Sequence, residues 1–390
     1  MSAIAAWPSR GARVATDADA RPVRIALLGT GTVGRALLAR LASWQGATDL
    51  APLELVYAAN SRQAVADPLG LCARKVSQRL GRAGSAASTS PAGDVAKVPI
   101  DELPSALNRV EEALDVEGTR IVIDATASAD VTAHHARWLA RGVHVVTACK
   151  LGQGSGHAQW HAIHAAAAAG DALYGDSATV GAGLPLLRTL RELRAGGDRI
   201  HAIAGVLSGS LAWLFNHYDG LRPFSGFVRE ARRAGYTEPD PRDDLSGEDV
   251  RRKLLILART AGAVVEPGSI EVESLVPPPL AGATPADVDA GLDALDAPLR
   301  ERFARAYRSG EKLRFIARFD LATGQAKVGL ASLPPQHALA SGAGTDNRVA
   351  IWSDRYAEQP LVIQGPGAGA GVTAAALLDD ALRIARSRLR

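Results

Sequence analysis

The sequence predicts an α/β protein in two parts: a mainly parallel, doubly wound sheet first, then an α+β part. Three observations carry this reading. From residue 23 to about 175, apolar strand-like runs alternate with helical stretches, the rhythm of βαβ units. A glycine-rich turn, Gly29-Thr30-Gly31-Thr32-Val33-Gly34, joins the first strand to the first helix. After about residue 175 the helices come first and the strands cluster late, as in α+β units. At 390 residues the chain is too long for one core, so two domains are expected.

The elements follow in order. Residues 23–28 read as a short buried strand. Val33, Leu37, Leu38 and Leu41 then recur at helical spacing, and 53–59 is a second strand. Residues 61–119 are less regular, and the Ser/Ala/Gly-rich stretch 81–93 reads as a surface loop. A strand at 120–124, a helix at 131–141, a strand at 143–147 and an Ala-rich helix at 159–169 follow. Helical patterns cover 183–195, 210–219 and 247–262, and strands cover 313–319, 327–331, 349–352 and 361–364. The Ala/Asp/Pro-rich stretch 277–298 reads as a surface excursion. The last helix, 373–389, puts Leu378, Leu382, Ala385 and Leu389 on one face. Residues 1–20 read as a flexible tail.

Composition excludes several classes. With 47 % hydrophobic and 22 % charged residues the chain is neither disordered nor fibrous. A net charge of +3, with no basic run interleaved with aromatics, implies no nucleic-acid partner. Two cysteines, Cys72 and Cys149, support neither a disulfide framework nor a thiolate metal site. The N-terminus lacks a signal peptide's apolar core, and no stretch is apolar enough to span a bilayer. A cytoplasmic protein without membrane partners is expected.

The strand–turn–helix placement of Gly29, Gly31 and Gly34 points to a Rossmann-type dinucleotide-binding domain. The first glycine permits the tight turn, the second lets a pyrophosphate approach, and the third lets helix and strand pack closely. The helix N-terminus adds free N–H groups and partial positive charge. At the end of the second strand stands Asn60-Ser61-Arg62, where an NAD enzyme usually carries an acid for the ribose. An arginine there suits a 2′-phosphate, so NADP is favoured and NAD stays open; the plain alternative is a solvated loop charge.

Lys150 follows the strand 143–147, beyond a strand's carboxyl end, where open α/β sheets bind ligands. Such a lysine can stabilise an alkoxide or move a proton if burial lowers its pKa. Further on, Glu238, Asp240, Asp243 and Asp244 crowd into seven positions, an arrangement that repels itself unless it meets a cation such as a substrate ammonium. Asp249 and Lys253 are four apart on the following helix and flank its apolar stripe. They read either as a surface ion pair or as a lysine oriented in a cleft. Glu248 and Arg252, at the same spacing, read as a surface pair.

These motifs resemble the homoserine dehydrogenase family, especially the dehydrogenase half of fused aspartokinase–homoserine dehydrogenases. Similar stretches are 29–34, 143–150, 178–185, 205–210, 235–258 and 365–369, and the block 235–253 is the most specific. The resemblance implies reversible reduction of L-aspartate 4-semialdehyde to L-homoserine, feeding threonine, methionine and isoleucine synthesis. It implies that Lys150 and Lys253 flank the reacting carbonyl and that Asp249 positions the chemistry. Glu238 and Asp244 would bind the substrate ammonium, Asp243 would shape the loop, and Ser210 would hydrogen-bond substrate. The implied cofactor set is Gly29, Thr30, Gly31, Thr32, Val33, Gly34, Asn60, Ser61, Arg62, Thr126 and Lys150. Backbone carbonyls of Val180, Ala182 and Leu184 match a site for a monovalent cation such as sodium.

The resemblance further implies a homodimer, with 176–354 as the substrate and dimerisation part and residues after about 355 returning to the nucleotide part, 21–175. Cys149 stands where the family often has Asn, and Leu-Gly-Gln-Gly-Ser-Gly after Lys150 reads as flexible. The chain starts too close to the glycine motif for a kinase domain and ends too soon for a ligand-sensing domain, so threonine feedback through one is not expected. Three rival readings stand beside this one. They are a cysteine-dependent aldehyde dehydrogenase using Cys149, a zinc site at His157, His161 and His164, and a non-catalytic NAD(P)-binding sensor.

Overall fold

A computed structural model describes residues 23–44, 53–80, 97–99, 103–115 and 117–388. The expected tail 1–20, the loop 81–93 and Leu389 lie outside the described residues.

The first sheet holds β1 (Val23–Leu28), β2 (Leu53–Ala59), β3 (Gln63–Ala66), β4 (Lys97–Pro99), β5 (Arg120–Asp124), β6 (His144–Thr147) and β7 (Tyr174–Gly175). Their spatial order is β4-β3-β2-β1-β5-β6-β7. The strands from β2 to β7 in that order run parallel, while β3 and β4 form an antiparallel edge. Apart from Arg24, β1 is apolar on both faces because both are covered. Val23, Ile25 and Leu27 pack with Leu37 and Leu38 of the helix Thr32–Trp44. Ala26 and Leu28 pack on the other side with Leu107, Trp138 and Ile163.

The irregular stretch after residue 60 thus contains β3, β4 and the helices Ala73–Leu80 and Leu103–Ala113. The single helix expected at 131–141 is two, Ala129–Ala133 and His135–Ala140. The His134 ring Nδ1 lies 2.9 Å from the Asp130 carbonyl, the group an unbroken helix would bond through the His134 N–H.

The second sheet holds β8 (Ile200–Val206), β9 (Glu271–Val272), β10 (Lys312–Asp320), β11 (Ala326–Leu333), β12 (Asp346–Ser353) and β13 (Leu361–Pro366), in the order β13-β12-β8-β10-β11-β9. All pairs are antiparallel except β11 with β9. Helices Leu186–Ala195, Gly209–His217, Glu248–Thr260 and Asp296–Arg308 contribute to its core through Leu190, Leu214, Leu254 and Leu299.

Two further expectations are corrected. The stretch 277–298 is no surface excursion: it forms short helices in which Leu280, Val288, Leu292 and Leu295 are buried in that core. Pro278 and Pro279 stand in the first turn of the helix Pro278–Ala281, where no N–H is needed. The return to the nucleotide part does not begin near residue 355. β13 pairs with β12 through Leu361, Val362 and Ile363, so the last strand belongs to the second sheet. Only the helix Ala370–Arg388 crosses back, packing Leu377, Leu378 and Ile384 beside Leu27 and Leu37. No helix among the described residues is long and apolar enough to cross a membrane.

Candidate active site

The glycine turn divides its labour as the chemistry requires. Gly29 sits at φ +92°, where a Cβ would lie 2.7 Å from the Ala125 carbonyl oxygen. A Cβ on Gly34 would lie 1.9 Å from the Gly29 oxygen, so helix and turn touch there. A Cβ on Gly31 meets nothing within 4 Å. The space above Gly31 is therefore open, as a pyrophosphate approaching the backbone and the helix N-terminus needs. Thr32 and Val33 face the same cleft. Asn60 donates from Nδ2 to the buried Thr30 hydroxyl at 3.0 Å and accepts the N–H groups of Arg62 and Gln63 at 2.9 and 3.0 Å. Asn60 thus builds the turn that leaves Ser61 and Arg62 exposed beyond β2.

On the other side of β1, fully buried Asp124 ends β5 and accepts the Thr126 N–H at 2.9 Å, the Thr126 hydroxyl at 2.6 Å and the Thr147 hydroxyl at 3.0 Å. These bonds tie together the ends of β5 and β6. Ala125, Thr126, Ala148 and Lys150 emerge from them into a cleft of about 850 Å³ between the two sheets' connections.

The opposite wall comes from the second part. Gly247, at φ +77°, starts the helix Glu248–Thr260, and a Cβ there would crowd the Phe315 ring at 3.0 Å. Asp249 is in the first turn, where the helix dipole favours an anion. Its Oδ2 lies 2.8 Å from Lys253 Nζ and its Oδ1 3.2 Å from Lys150 Nζ. One carboxylate therefore bridges two ammonium groups that come from different sheets. Burial works against the Asp249 carboxylate, but the two lysines outweigh it and hold its pKa well below the carboxylate range. Lys253 is buried and also donates to the Leu207 carbonyl at 2.8 Å. Burial, helped by repulsion from Lys150, pushes its pKa down although Asp249 pulls it up.

The acidic block does not act as one cluster. Asp240 caps the short helix Pro241–Leu245 and pairs with Arg242 at 2.6 Å, so it is neutralised locally. Asp244 accepts the Ser210 hydroxyl at 2.6 Å and the Glu238 N–H at 2.8 Å, and burial raises its pKa. Glu238, Asp243, Asp244 and Ser210 line the cleft with Lys150, Asp249 and Lys253. Glu248 pairs with Arg251 at 2.5 Å, not with Arg252. Ser208, Tyr236, Thr345 and Thr373 also line the cleft and were missed in the sequence. They sit in four separate segments and share no spacing motif.

Near the cleft, the 180–184 turn holds Gly181 at φ +70° and Ala182 at φ +48°. The Leu184 carbonyl accepts the Leu186 N–H at 2.8 Å, while Gly181 accepts that of Leu184 at 2.9 Å.

A family model described as homoserine dehydrogenase matches residues 185–382, and one described as homoserine dehydrogenase, NAD binding domain, matches residues 29–174. A homoserine dehydrogenase of Emericella nidulans is 35 % identical over 381 residues, covering 93 % of this chain and 98 % of that one. The chain belongs to the homoserine dehydrogenase family. A bifunctional aspartokinase/homoserine dehydrogenase of Zea mays is 42 % identical over 267 residues, 68 % of this chain and 29 % of that protein. The chain thus matches less than a third of that relative's length. A solved hyperthermophilic archaeal homoserine dehydrogenase in complex with NADPH shares the fold, with TM-score 0.71 and 21 % identity over 95 % of this chain and 100 % of that one.

For a homoserine dehydrogenase family member, two of the rival readings, the cysteine nucleophile and the zinc site, find little geometry here. Cys149 is buried, its Sγ lies 3.3 Å from the Thr132 hydroxyl, and burial raises its pKa, away from the thiolate a nucleophile needs. His157, His161 and His164 share the helix His157–Ala169, where His164 packs on Trp160. Among the described residues no group of three His, Cys, Asp or Glu side chains is placed to hold a metal.

Proposed function

We propose that this chain is an NADP-using homoserine dehydrogenase, able to use NAD, that interconverts L-aspartate 4-semialdehyde and L-homoserine. The observation that carries this is the Lys150–Asp249–Lys253 bridge in a cleft whose other end is the open Gly31 turn. Gly29, Thr30, Gly31, Thr32, Val33 and Gly34 would hold the pyrophosphate, and Asn60, Ser61 and Arg62 the ribose end. Thr126 and Lys150, which line the cleft, would stand on the nicotinamide side. The bound cofactor supplies or accepts the hydride at the substrate carbon.

The protein's part is charge and proton placement. Glu238 and Asp244 take the substrate ammonium, Asp243 shapes the rim, and Ser210 offers its hydroxyl. Lys253, its pKa lowered by burial, takes the hydroxyl proton during oxidation and returns it during reduction. Lys150 stabilises negative charge on the reacting oxygen. Asp249 keeps both ammonium groups in place. The two parts divide accordingly: 23–175 with the helix Ala370–Arg388 for nucleotide, 176–366 for substrate and subunit contacts.

Three finer points belong to the proposal. A monovalent cation such as sodium would rest on the carbonyls of Val180, Ala182 and Leu184. The support is the left-handed Ala182, a conformation that costs a non-glycine residue energy unless its surroundings hold it. A homodimer would form on the open face of the second sheet, where Ile316, Trp352 and Val362 are only partly covered. The reaction would serve threonine, methionine and isoleucine synthesis in the cytoplasm. Mixing the protein with NADPH and aspartate 4-semialdehyde and analysing the product by chromatography tests the reaction. Homoserine is expected; oxidation of the aldehyde to an acid, or no product, contradicts it.

A further inference from the structure

Arg259 lies on the helix that carries Asp249 and Lys253, one and a half turns or more beyond either. Its side chain is buried, yet the closest carboxylate recorded among the described residues, that of Glu266, is 3.9 Å away. Its hydrogen bonds go to main-chain carbonyls. Nη1 donates to Gln153 at 2.8 Å and to Ser155 at 2.6 Å, Nη2 to Val265 at 2.8 Å, and Nε to Val265 at 3.1 Å. A buried guanidinium without a close counter-charge is costly, so a positional task is the natural explanation. A rigid planar fork is suited to pinning several carbonyls at once.

The pinned segment is the loop 150–156, which begins at Lys150. Within it the Gly154 N–H donates to the Lys150 carbonyl at 2.7 Å, and the Ser155 hydroxyl to the Leu151 carbonyl at 2.5 Å. A Cβ on Gly154 would lie 2.8 Å from the Lys150 oxygen and 3.4 Å from Arg252 Cβ, so the loop sits directly on the helix. Three of the loop's seven residues are glycines with no side chain of their own to anchor it; Gly152 packs under the Tyr174 hydroxyl and Gln153 is buried, and Arg259 takes the carbonyls of Gln153 and Ser155.

We propose that Arg259 is a positioning residue that bolts the loop 150–156 to the helix Glu248–Thr260 and so sets the Lys150 ammonium on the Asp249 carboxylate. This rests on the active-site reading above. Without the bolt, Lys150 drifts from Asp249, and Lys253 is left with the attraction of Asp249 and Asp244 but less repulsion from Lys150. Its pKa then rises.

The test is a double-mutant cycle of Arg259→Met and Lys150→Met, read as kcat for homoserine oxidation against pH, with thermal melts of every variant. Arg259→Met alone should lower kcat about a hundredfold, the scale of an ångström's misplacement, and move the rising limb to higher pH. In the Lys150→Met background it should cost no further factor, because the two act as one unit. Additive losses, or a limb that stays put while kcat falls with the folded fraction, overturn the clamp. Full activity in Lys150→Met alone overturns the active-site reading instead. If Arg259→Met does not fold, Arg259→Lys, which keeps the charge but loses the fork, carries the same expectations.

Discussion

Lys253 is held between opposing forces: burial and Lys150 push its proton off, while Asp249 and Asp244 keep it on. In the proposed mechanism homoserine oxidation needs the neutral amine, so kcat/KM should rise with pH along a limb below the ordinary lysine value of 10.5. Asp249→Asn removes an attraction for the charged form, so the limb should move to lower pH while kcat falls ~10²-fold. The pH profile of the variant checks this, and a limb at or above the wild-type position speaks against it. At this scale the sequence was informative where chemistry is local. The four-residue spacing of Asp249 and Lys253 already put them on one face, and they pair at 2.8 Å. Lys150 reaching the same carboxylate, and Arg259 reaching Gln153 and Ser155, join residues about a hundred positions apart. No periodicity reports such contacts.

At the scale of elements, the strand–turn–helix at Val23–Trp44 shows why a short motif can be read. Gly29 and Gly34 answer steric demands set within the unit or by one adjacent loop, while Gly31 leaves open space. Gly34→Ala forces a side chain onto the Gly29 carbonyl and should destabilise the fold by about 1–3 kcal/mol or more. Gly31→Ala meets only open space, so the melting temperature should hold while cofactor affinity drops ~10-fold, about 1.4 kcal/mol. Calorimetry with cofactor titration separates the two. Equal melting losses would contradict the division of labour. The elements that were misread failed for local reasons of another kind. His134 breaks a helix by taking a carbonyl with its ring, and in 277–298 the helical spacing of Val288, Leu292 and Leu295 stands among Ala, Asp, Gly and Pro residues whose composition reads as a loop.

At the scale of the molecule, the chain leaves its first sheet, builds a second one, and returns with a single helix. The two-part α/β architecture was legible from the switch in element order. The point of return was not, because Leu361–Pro366 is apolar enough for either sheet, and pairing with β12 decides it. The return matters for the site: Gly367, Ala368 and Gly369, just before that helix, and Thr373 in its first turn line the cleft that also holds Thr32, Val33 and the two lysines. In the proposed mechanism activity depends on both parts at once, since Lys150 comes with one and Lys253 with the other.

The most direct measurement is therefore the rate of homoserine-dependent NADP⁺ and NAD⁺ reduction by wild type and by Lys253→Ala, with cofactor binding followed in parallel. Clear wild-type activity, faster with NADP⁺, that falls by about two to four orders of magnitude in Lys253→Ala while cofactor still binds is the expected result. Folded, cofactor-binding protein with no homoserine-dependent reduction of either nucleotide would contradict it and leave a nucleotide-binding sensor in its place.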